Sequence, residues 1–291
     1  MQKMLVTGAG GMVGSYVSEV FPDWDLLLTD VVGGFIPLDV QDSLALAQAL
    51  RSHRPEVVLH LAAATDVDRC QQDPAWAHAS NALGTEHVAR ACREFGAKLV
   101  YASTGAVFSG DKSEPYTERD LPKPLNIYGI SKWAGEEAAA RSGSLFLIVR
   151  AGWMFGGAQK DKKFVGKIVR MLLDGKGAIR AVNDKWGTPT YAKDFLRGIR
   201  MLLERERSGL YHLGNNGCCT RYEIALVLRQ IVKQADVSVV PVSSSSFPLP
   251  APRGRQEALF NLRMEEEKLP AMRPWREALE EYVLTELVAA L

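Results

Sequence analysis

Short apolar runs alternate with longer amphipathic stretches through the first half of the chain. KMLVTGA (3–9), DLLLTD (25–30), VVLHLAA (57–63), KLVYAST (98–104) and LFLIVRA (145–151) are rich in Val, Leu and Ile, with little polar alternation. Strands covered on both faces read this way. Helix-length segments lie between them, at about 12–20, 42–52, 74–94 and 127–142. Strand and helix in alternation predict right-handed crossovers and an α/β, doubly wound parallel sheet. After residue 150 the rhythm loosens. KFVGKIVRMLLDG (163–175) reads as an amphipathic helix ended by Gly175, and 188–204, 220–235 and the closing WREALEEYVLTELVAAL read as three more. PVSSSSFPLPAPRGRQ (241–256) is Ser/Pro-rich and is expected to be a mobile loop.

The first strand runs into VTGAGGMVGSYV, where Gly8, Gly11 and Gly14 form G-x-x-G-x-x-G at the opening of a helix. Glycine allows the tight turn and lets backbone approach a pyrophosphate. The helix start, at Met12 and Val13, offers free N–H groups and a positive dipole end. The plain alternative is a glycine-rich strand–helix turn. Asp30 ends the second strand, 22 positions after Gly8. A carboxylate there suits both ribose hydroxyls of an adenosine and repels a 2′-phosphate. No Lys or Arg follows until Arg51, so the residues lean toward NADH over NADPH. Asp39 and Val40, after a short extended segment, either lie near the adenine or belong to a helix N-cap region. These signals give a Rossmann-type domain over 1–150 with a returning segment near 182–214. A smaller C-terminal substrate-binding lobe is expected from 151–181 and 215–291.

Composition narrows the partners. Of 291 residues 47% are hydrophobic and 24% charged, and the net charge is +1, which gives no case for nucleic acid or an anionic membrane. No apolar run is long enough to span a bilayer, and the N-terminus enters a strand directly rather than a secretory signal. The four cysteines form no C-x-x-C pair and the five histidines no metal-binding pattern, so a reduced, cytoplasmic setting and no catalytic metal are expected.

NIYGISKWAGEE (126–137) puts Tyr128 and Lys132 four positions apart, on one helix face. The plain alternative is a surface pair. A nicotinamide enzyme reducing a ketone needs a proton donor at the carbonyl oxygen, and Tyr128 is a candidate. Bringing a phenol from about 10 to about 7 takes roughly 4 kcal/mol. One ammonium at about 4 Å, at an effective dielectric near 20, supplies about that much. Ser103 or Thr104, at the end of the fourth strand, is placed to hold the substrate oxygen, because ligands sit outside the carboxyl ends of such strands.

The glycine pattern, LAAATDVD, STGAVFSG and YGISK together resemble the extended short-chain dehydrogenase/reductases. RAGWMFG (150–156), VNDKWGTPTYAKD (182–194), GLYHLGN (209–215) and PWREALEEYV narrow the resemblance to the dTDP-4-dehydrorhamnose reductase family, over nearly the whole chain. The resemblance implies Thr104, Tyr128 and Lys132 as the catalytic set. It implies a cofactor, NADPH or NADH, along Ala62, Ala63, Thr65 and Ser103. It implies a nucleotide sugar beside Val67, Asp68, Trp153 and Trp186, and a homodimer through the helices at 74–94 and 127–142. Three segments depart from the family pattern: Gly105 and Ala106 replace an Asp–Tyr pair, Lys185 replaces a Gln, and PRGRQEAL (252–259) replaces R-P-x-x-S-x-L. All three lie on the substrate side. Two rival readings share the fold. One is an NAD-dependent nucleotide-sugar epimerase or dehydratase, disfavoured by the missing acid beside Thr104. The other is a non-catalytic NAD(P)-binding regulatory subunit, disfavoured by the retained Tyr128 and Lys132.

Overall fold

The computed structural model describes residues 1–175 and 177–290. The first half delivers the expected strands: β1 (Lys3–Thr7), β2 (Asp25–Asp30), a short β3 (Ile36–Pro37), β4 (Val57–His60), β5 (Lys98–Thr104) and β6 (Phe146–Ala151). The second half adds β7 (Trp153–Phe155), β8 (Ala178–Val182), β9 (Trp186–Gly187), β10 (Pro189–Tyr191), β11 (Gly209–His212), β12 (Cys219–Thr220), β13 (Ser238–Val242) and β14 (Gln256–Glu257). Seven strands form one parallel sheet in the order β11-β6-β5-β4-β1-β2-β3. The order reverses beside β1, which opens the ligand crevice of a doubly wound sheet.

The central strands are apolar because both faces are covered. Met4, Val6, Val100, Leu147 and Val149 point to one side, and Phe195, Leu196, Ile199 and Leu202 of α8 (Ala192–Glu204) cover them. Leu5, Leu99, Tyr101 and Ile148 point to the other. There they meet Leu46 and Leu50 of α2 (Ser43–His53), Val88, Ala89 and Cys92 of α5 (Gly84–Phe95), and Ala139 of α6 (Ile127–Arg141). Burying each such side chain contributes roughly 1.5–3 kcal/mol. The first cluster continues into the second half of the chain. It takes in Val165, Ile168 and Leu172 of α7 (Phe164–Asp174), Ile224 and Leu228 of α9 (Arg221–Ile231), and Trp275, Leu279 and Tyr282 of the C-terminal helix (Trp275–Tyr282).

Several elements differ from the sequence expectation. The segment 12–20 winds as a 3₁₀ turn over Gly14–Tyr16 and only four α-helical residues, Val17–Val20 (α1), before Phe21 and Pro22 stop it. The helix expected over 74–94 is broken. Pro74–His78 is α4, after the short α3 (Val67–Gln72), Ala79–Leu83 is a π turn, and α5 follows. Asn81 in that turn directs its amide at Ala64, accepting from N at 2.8 Å and donating to O at 3.0 Å. The segment expected as helix over 188–204 begins as β10, whose Tyr191 N donates to Asn215 Oδ1 at 2.8 Å. The Ser/Pro-rich segment carries β13 and β14 at its ends. Its serines wrap Asp184, with Ser243 Oγ donating at 2.7 Å and Ser244 N at 2.9 Å.

α6 is fixed to the sheet by a buried ion pair. Arg150 of β6 donates Nε and Nη2 to the two oxygens of Glu136 at 2.8 and 2.6 Å, and Ser103 of β5 adds a bond to Oε1 at 2.5 Å. The two charged side chains are 3% and 6% exposed, so removing one strands the other. Glu136→Ala is expected to lower unfolding stability by about 3–5 kcal/mol. Urea unfolding measures it, and a loss under about 1 kcal/mol would show that the pair is not needed to hold α6.

Candidate active site

The glycine loop has the shape of a phosphate cradle. Gly8 has φ +75°, and a Cβ there would stand 2.5 Å from Ala62 N. A Cβ on Gly14 would stand 2.4 Å from Ala9 O. Among the described residues no backbone carbonyl accepts from Met12 N or Val13 N, which leaves both amides free at the turn. Asp30 folds the loop itself. Its Oδ2 accepts from Gly10 N at 2.8 Å, and its Oδ1 accepts from Val31 N at 2.7 Å and Val32 N at 3.1 Å. A cation reaches the loop from far along the chain: Lys160 Nζ donates to Gly10 O at 2.9 Å. Arg51 instead lies over Phe95, and Arg54 caps α2 in the left-handed region. These features fit a dinucleotide, which Gly8, Gly11, Met12, Val13, Gly14 and Asp30 would hold when it binds. Asp39 is exposed and accepts from Gln41 N at 2.9 Å. Asp42, not Asp39, caps α2. Val40 is buried against Gly84. Ala62, Ala63 and Thr65 follow β4, held from behind by Asn81.

At the ends of β5 and β6 opens a cleft of about 350 Å³. Thr65, Val67, Ser103, Thr104, Tyr128 and Trp153 line it. α6 starts where Asn126 caps Gly129 N with its side chain at 2.9 Å, and this brings Tyr128 to the cleft wall. A Cβ on Gly129 would stand 2.2 Å from Ala106 O, so the helix start lies hard against the tip of β5. Lys132, one turn on, donates Nζ to Ala102 O at 2.8 Å and lies 4.1 Å from the centre of the Tyr101 ring.

The electrostatics differ from the simple two-charge expectation. Burial pushes the Tyr128 phenol up to about 12, with the Thr104 hydroxyl pulling it partly back. Burial lowers Lys132 to about 7, opposed by Glu136. Desolvation penalises the charged form of both groups, and Lys132 turns its ammonium to the backbone of β5. Burial therefore keeps Tyr128 a phenol at neutral pH rather than letting one neighbouring charge poise it near 7. Beneath the pair His60 lies between Thr7 Oγ1 at 2.7 Å and Thr85 Oγ1 at 3.1 Å, and burial lowers it to about 3, so it is neutral.

Of the remaining sequence candidates, Asp68 does not line the cleft. It holds the late loop, its Oδ1 accepting from Ala251 N and Arg253 Nη2, each at 3.1 Å. Trp186 lines neither this cleft nor the adjoining one of about 430 Å³, and faces Arg255 instead. Not read from the sequence were Lys163, Arg221, Arg253 and Glu257, which line the cleft, Asn81 and Glu136 behind it, and Lys160 at the glycine loop. Each is far from its partners in the chain. The one local signal was the i, i+4 spacing of Lys132 and Glu136. Among the described residues no group of metal ligands assembles, and no helix is long and apolar enough to cross a membrane.

Comparison with known proteins gives a consistent picture. A family model described as "RmlD substrate binding domain" matches residues 1–288. The dTDP-4-dehydrorhamnose reductase of Mycobacterium tuberculosis strain H37Rv is 34% identical over 284 residues, covering 96% of this chain and 91% of that protein. The solved dTDP-4-dehydrorhamnose reductase of Bacillus anthracis, in complex with NADP, superposes with a TM-score of 0.92 at 32% identity over 98% of this chain and 99% of that one. The UDP-glucose 4-epimerase of Thermus thermophilus, in complex with NAD, shares the fold, with a TM-score of 0.84 at 23% identity over 97% and 98% of the two chains.

The bonds of Asp30 generate an expectation. Because the carboxylate holds three loop amides, Asp30→Ala should weaken NADH and NADPH alike, by about tenfold or more, since a lost charge-assisted bond of roughly 1.5–3 kcal/mol suffices for that. Fluorescence titration with each cofactor measures it. A loss confined to NADH would show that the carboxylate serves the ribose rather than the loop.

Proposed function

The chain belongs to the RmlD substrate binding domain family, and from that premise we propose that it reduces the 4-keto group of dTDP-4-dehydrorhamnose, giving dTDP-L-rhamnose, with NADH or NADPH as reductant. The observation that carries this reading is the meeting of Thr104 and Tyr128 in one open cleft, with Lys132 one turn behind them, at the carboxyl edge of the sheet.

The cofactor, when bound, supplies hydride to the carbonyl carbon. The chain's own residues manage the oxygen. The Thr104 hydroxyl and the Tyr128 phenol hold it, and Tyr128 gives its proton as alkoxide character develops. A phenol near 12 is fully protonated at neutral pH, so the acid is present when needed, and the alkoxide is a far stronger base. Lys132, lowered to about 7 by burial and donating to Ala102 O, stands one helical turn beyond the phenol.

The open cleft above Tyr128 supports catalysis over a purely regulatory role. Gly105 and Ala106 put no acid beside Thr104, which favours reduction over dehydration. Lys160 at the glycine loop favours tolerance of a 2′-phosphate beside Asp30. Cytoplasmic residence belongs to the same reading. So does a homodimer through α5 and α6, whose shared groove is lined by Ala82, Leu83, Ala134 and Ala138 together with charged residues such as Glu86 and Arg90, with Leu83 52% exposed. Val88 and Ala91, apolar positions on the same helix, are instead buried within the chain, so the case rests on the groove.

Two measurements test this. Incubation with dTDP-4-dehydro-6-deoxy-L-mannose and related keto sugars, followed by NAD(P)H absorbance, should give turnover that Tyr128→Phe lowers at least a hundredfold while cofactor binding persists. A variant retaining more than about a tenth of the rate would remove Tyr128 from the acid role. Light scattering at micromolar concentration should report a dimer; a monomer would leave the α5–α6 groove unexplained.

A further inference from the structure

The sugar side of the cleft contains a carboxylate that the reaction above does not use. Beyond Thr104 the tip of β5 is Gly105-Ala106 and offers no polar side chain. That ground is taken by β14. A Cβ on Gly105 would stand 3.2 Å from both Glu257 O and Leu259 Cδ2, so any larger residue there crowds the strand. Other contacts seat β14 in this place. The backbones of Gly110 and Gly254 pass so closely that a Cβ on Gly110 would stand 2.4 Å from Gly254 Cα. Lys185 donates Nζ to Arg253 O at 2.6 Å and to Gly254 O at 3.1 Å. Gln256 N donates to Gly110 O at 3.1 Å, and Gln256 Nε2 to Ser113 O at 2.9 Å. The three segments that depart from the family pattern, at 105–106, 185 and 252–259, are thus one contiguous unit in the fold.

This unit delivers Glu257 into the cleft. Its Oε2 accepts from Trp153 Nε1 at 2.7 Å. Among the described residues no group donates to Oε1, and no cation forms an ion pair with the carboxylate. Glu257 lines both the cleft at Tyr128 and the adjoining one of about 430 Å³, so it faces the space between them. Trp153 is itself fixed. A Cβ on Gly187 would stand 2.2 Å from its ring, and the Arg221 guanidinium lies 3.9 Å from the ring centre. A carboxylate aimed by a rigid indole, with one oxygen unengaged, is a built acceptor for hydroxyl donors.

We propose that Glu257 is a substrate-binding residue, whose carboxylate accepts hydrogen bonds from ring hydroxyls of the sugar and whose direction is set by Trp153. This rests on the reading of the chain as a nucleotide-sugar reductase. The chemistry selects a neutral hexose that carries a ring hydroxyl where the carboxylate can accept from it, and it disfavours an analogue lacking that hydroxyl.

Isothermal titration of dTDP-L-rhamnose and of dTDP alone into the NADP-loaded protein tests the assignment. Glu257→Ala should weaken dTDP-L-rhamnose at least tenfold and leave dTDP within about twofold. Glu257→Gln, near-isosteric and still carrying one acceptor oxygen, should fall between. Trp153→Phe, which removes the orienting N–H, should likewise weaken only the sugar-bearing ligand. Equal losses for both ligands would reduce Glu257 to a structural strut, and no loss for either would remove it from the site; each outcome overturns the proposal. If wild type binds dTDP-L-rhamnose but does not reduce the keto sugar, the reductase reading fails while the Glu257 comparison still decides its own question. If wild type binds neither ligand, both fall.

Discussion

The paired charges of Arg150 and Glu136 are the fixed point from which the catalytic edge is built. They lie on neighbouring elements, β6 and α6, and Ser103 of β5 joins them. Two opposite charges nearly removed from water tolerate little displacement, since each is costly without the other. α6 therefore has one position along the strand ends, and with it so do Tyr128 and Lys132. Glu136 also counters the desolvation of Lys132, so a structural pair and a chemical group share one carboxylate.

Close backbone approach does for the two sides of the cleft what the ion pair does for its base. Gly8 lets the glycine loop reach Ala62, Gly129 lets α6 reach Ala106, and Gly105 admits β14. At each of these points a side chain would occupy space that another segment already fills. The cleft wall opposite Tyr128 is assembled from Trp153, Gly187, Arg221 and Glu257, which no local pattern links. The cofactor side is continuous in sequence through the glycine loop, and Asp30 and Lys160 bind opposite ends of a single residue, Gly10.

The core strands, the glycine loop and the Tyr128–Lys132 spacing are all legible in the amino-acid sequence. Each is a short-range pattern imposed by a local requirement: burial on two faces, a turn without Cβ atoms, one helical turn between two side chains. The break in the helix over 74–94 is not legible there, because the turn that breaks it carries the hydrogen bonds of the Asn81 side-chain amide to Ala64, across the fold. The expectation that Lys132 alone would bring Tyr128 near 7 fails for a related reason. It counts a distance and a charge, and leaves out the burial that both groups share.

The sequence by itself determined the fold class, the glycine loop at the end of β1 and the one-turn spacing of Tyr128 and Lys132, since these rest on periodicity and on contacts within a few positions. The tertiary structure alone decided the rest. Asp30 serves the loop before it can serve a ribose, a distant lysine meets that loop, and three separate departures from the family pattern converge on Glu257. Those outcomes depend on hydrogen bonds and close contacts between segments tens to hundreds of residues apart, and no spacing along the chain encodes which segments will meet.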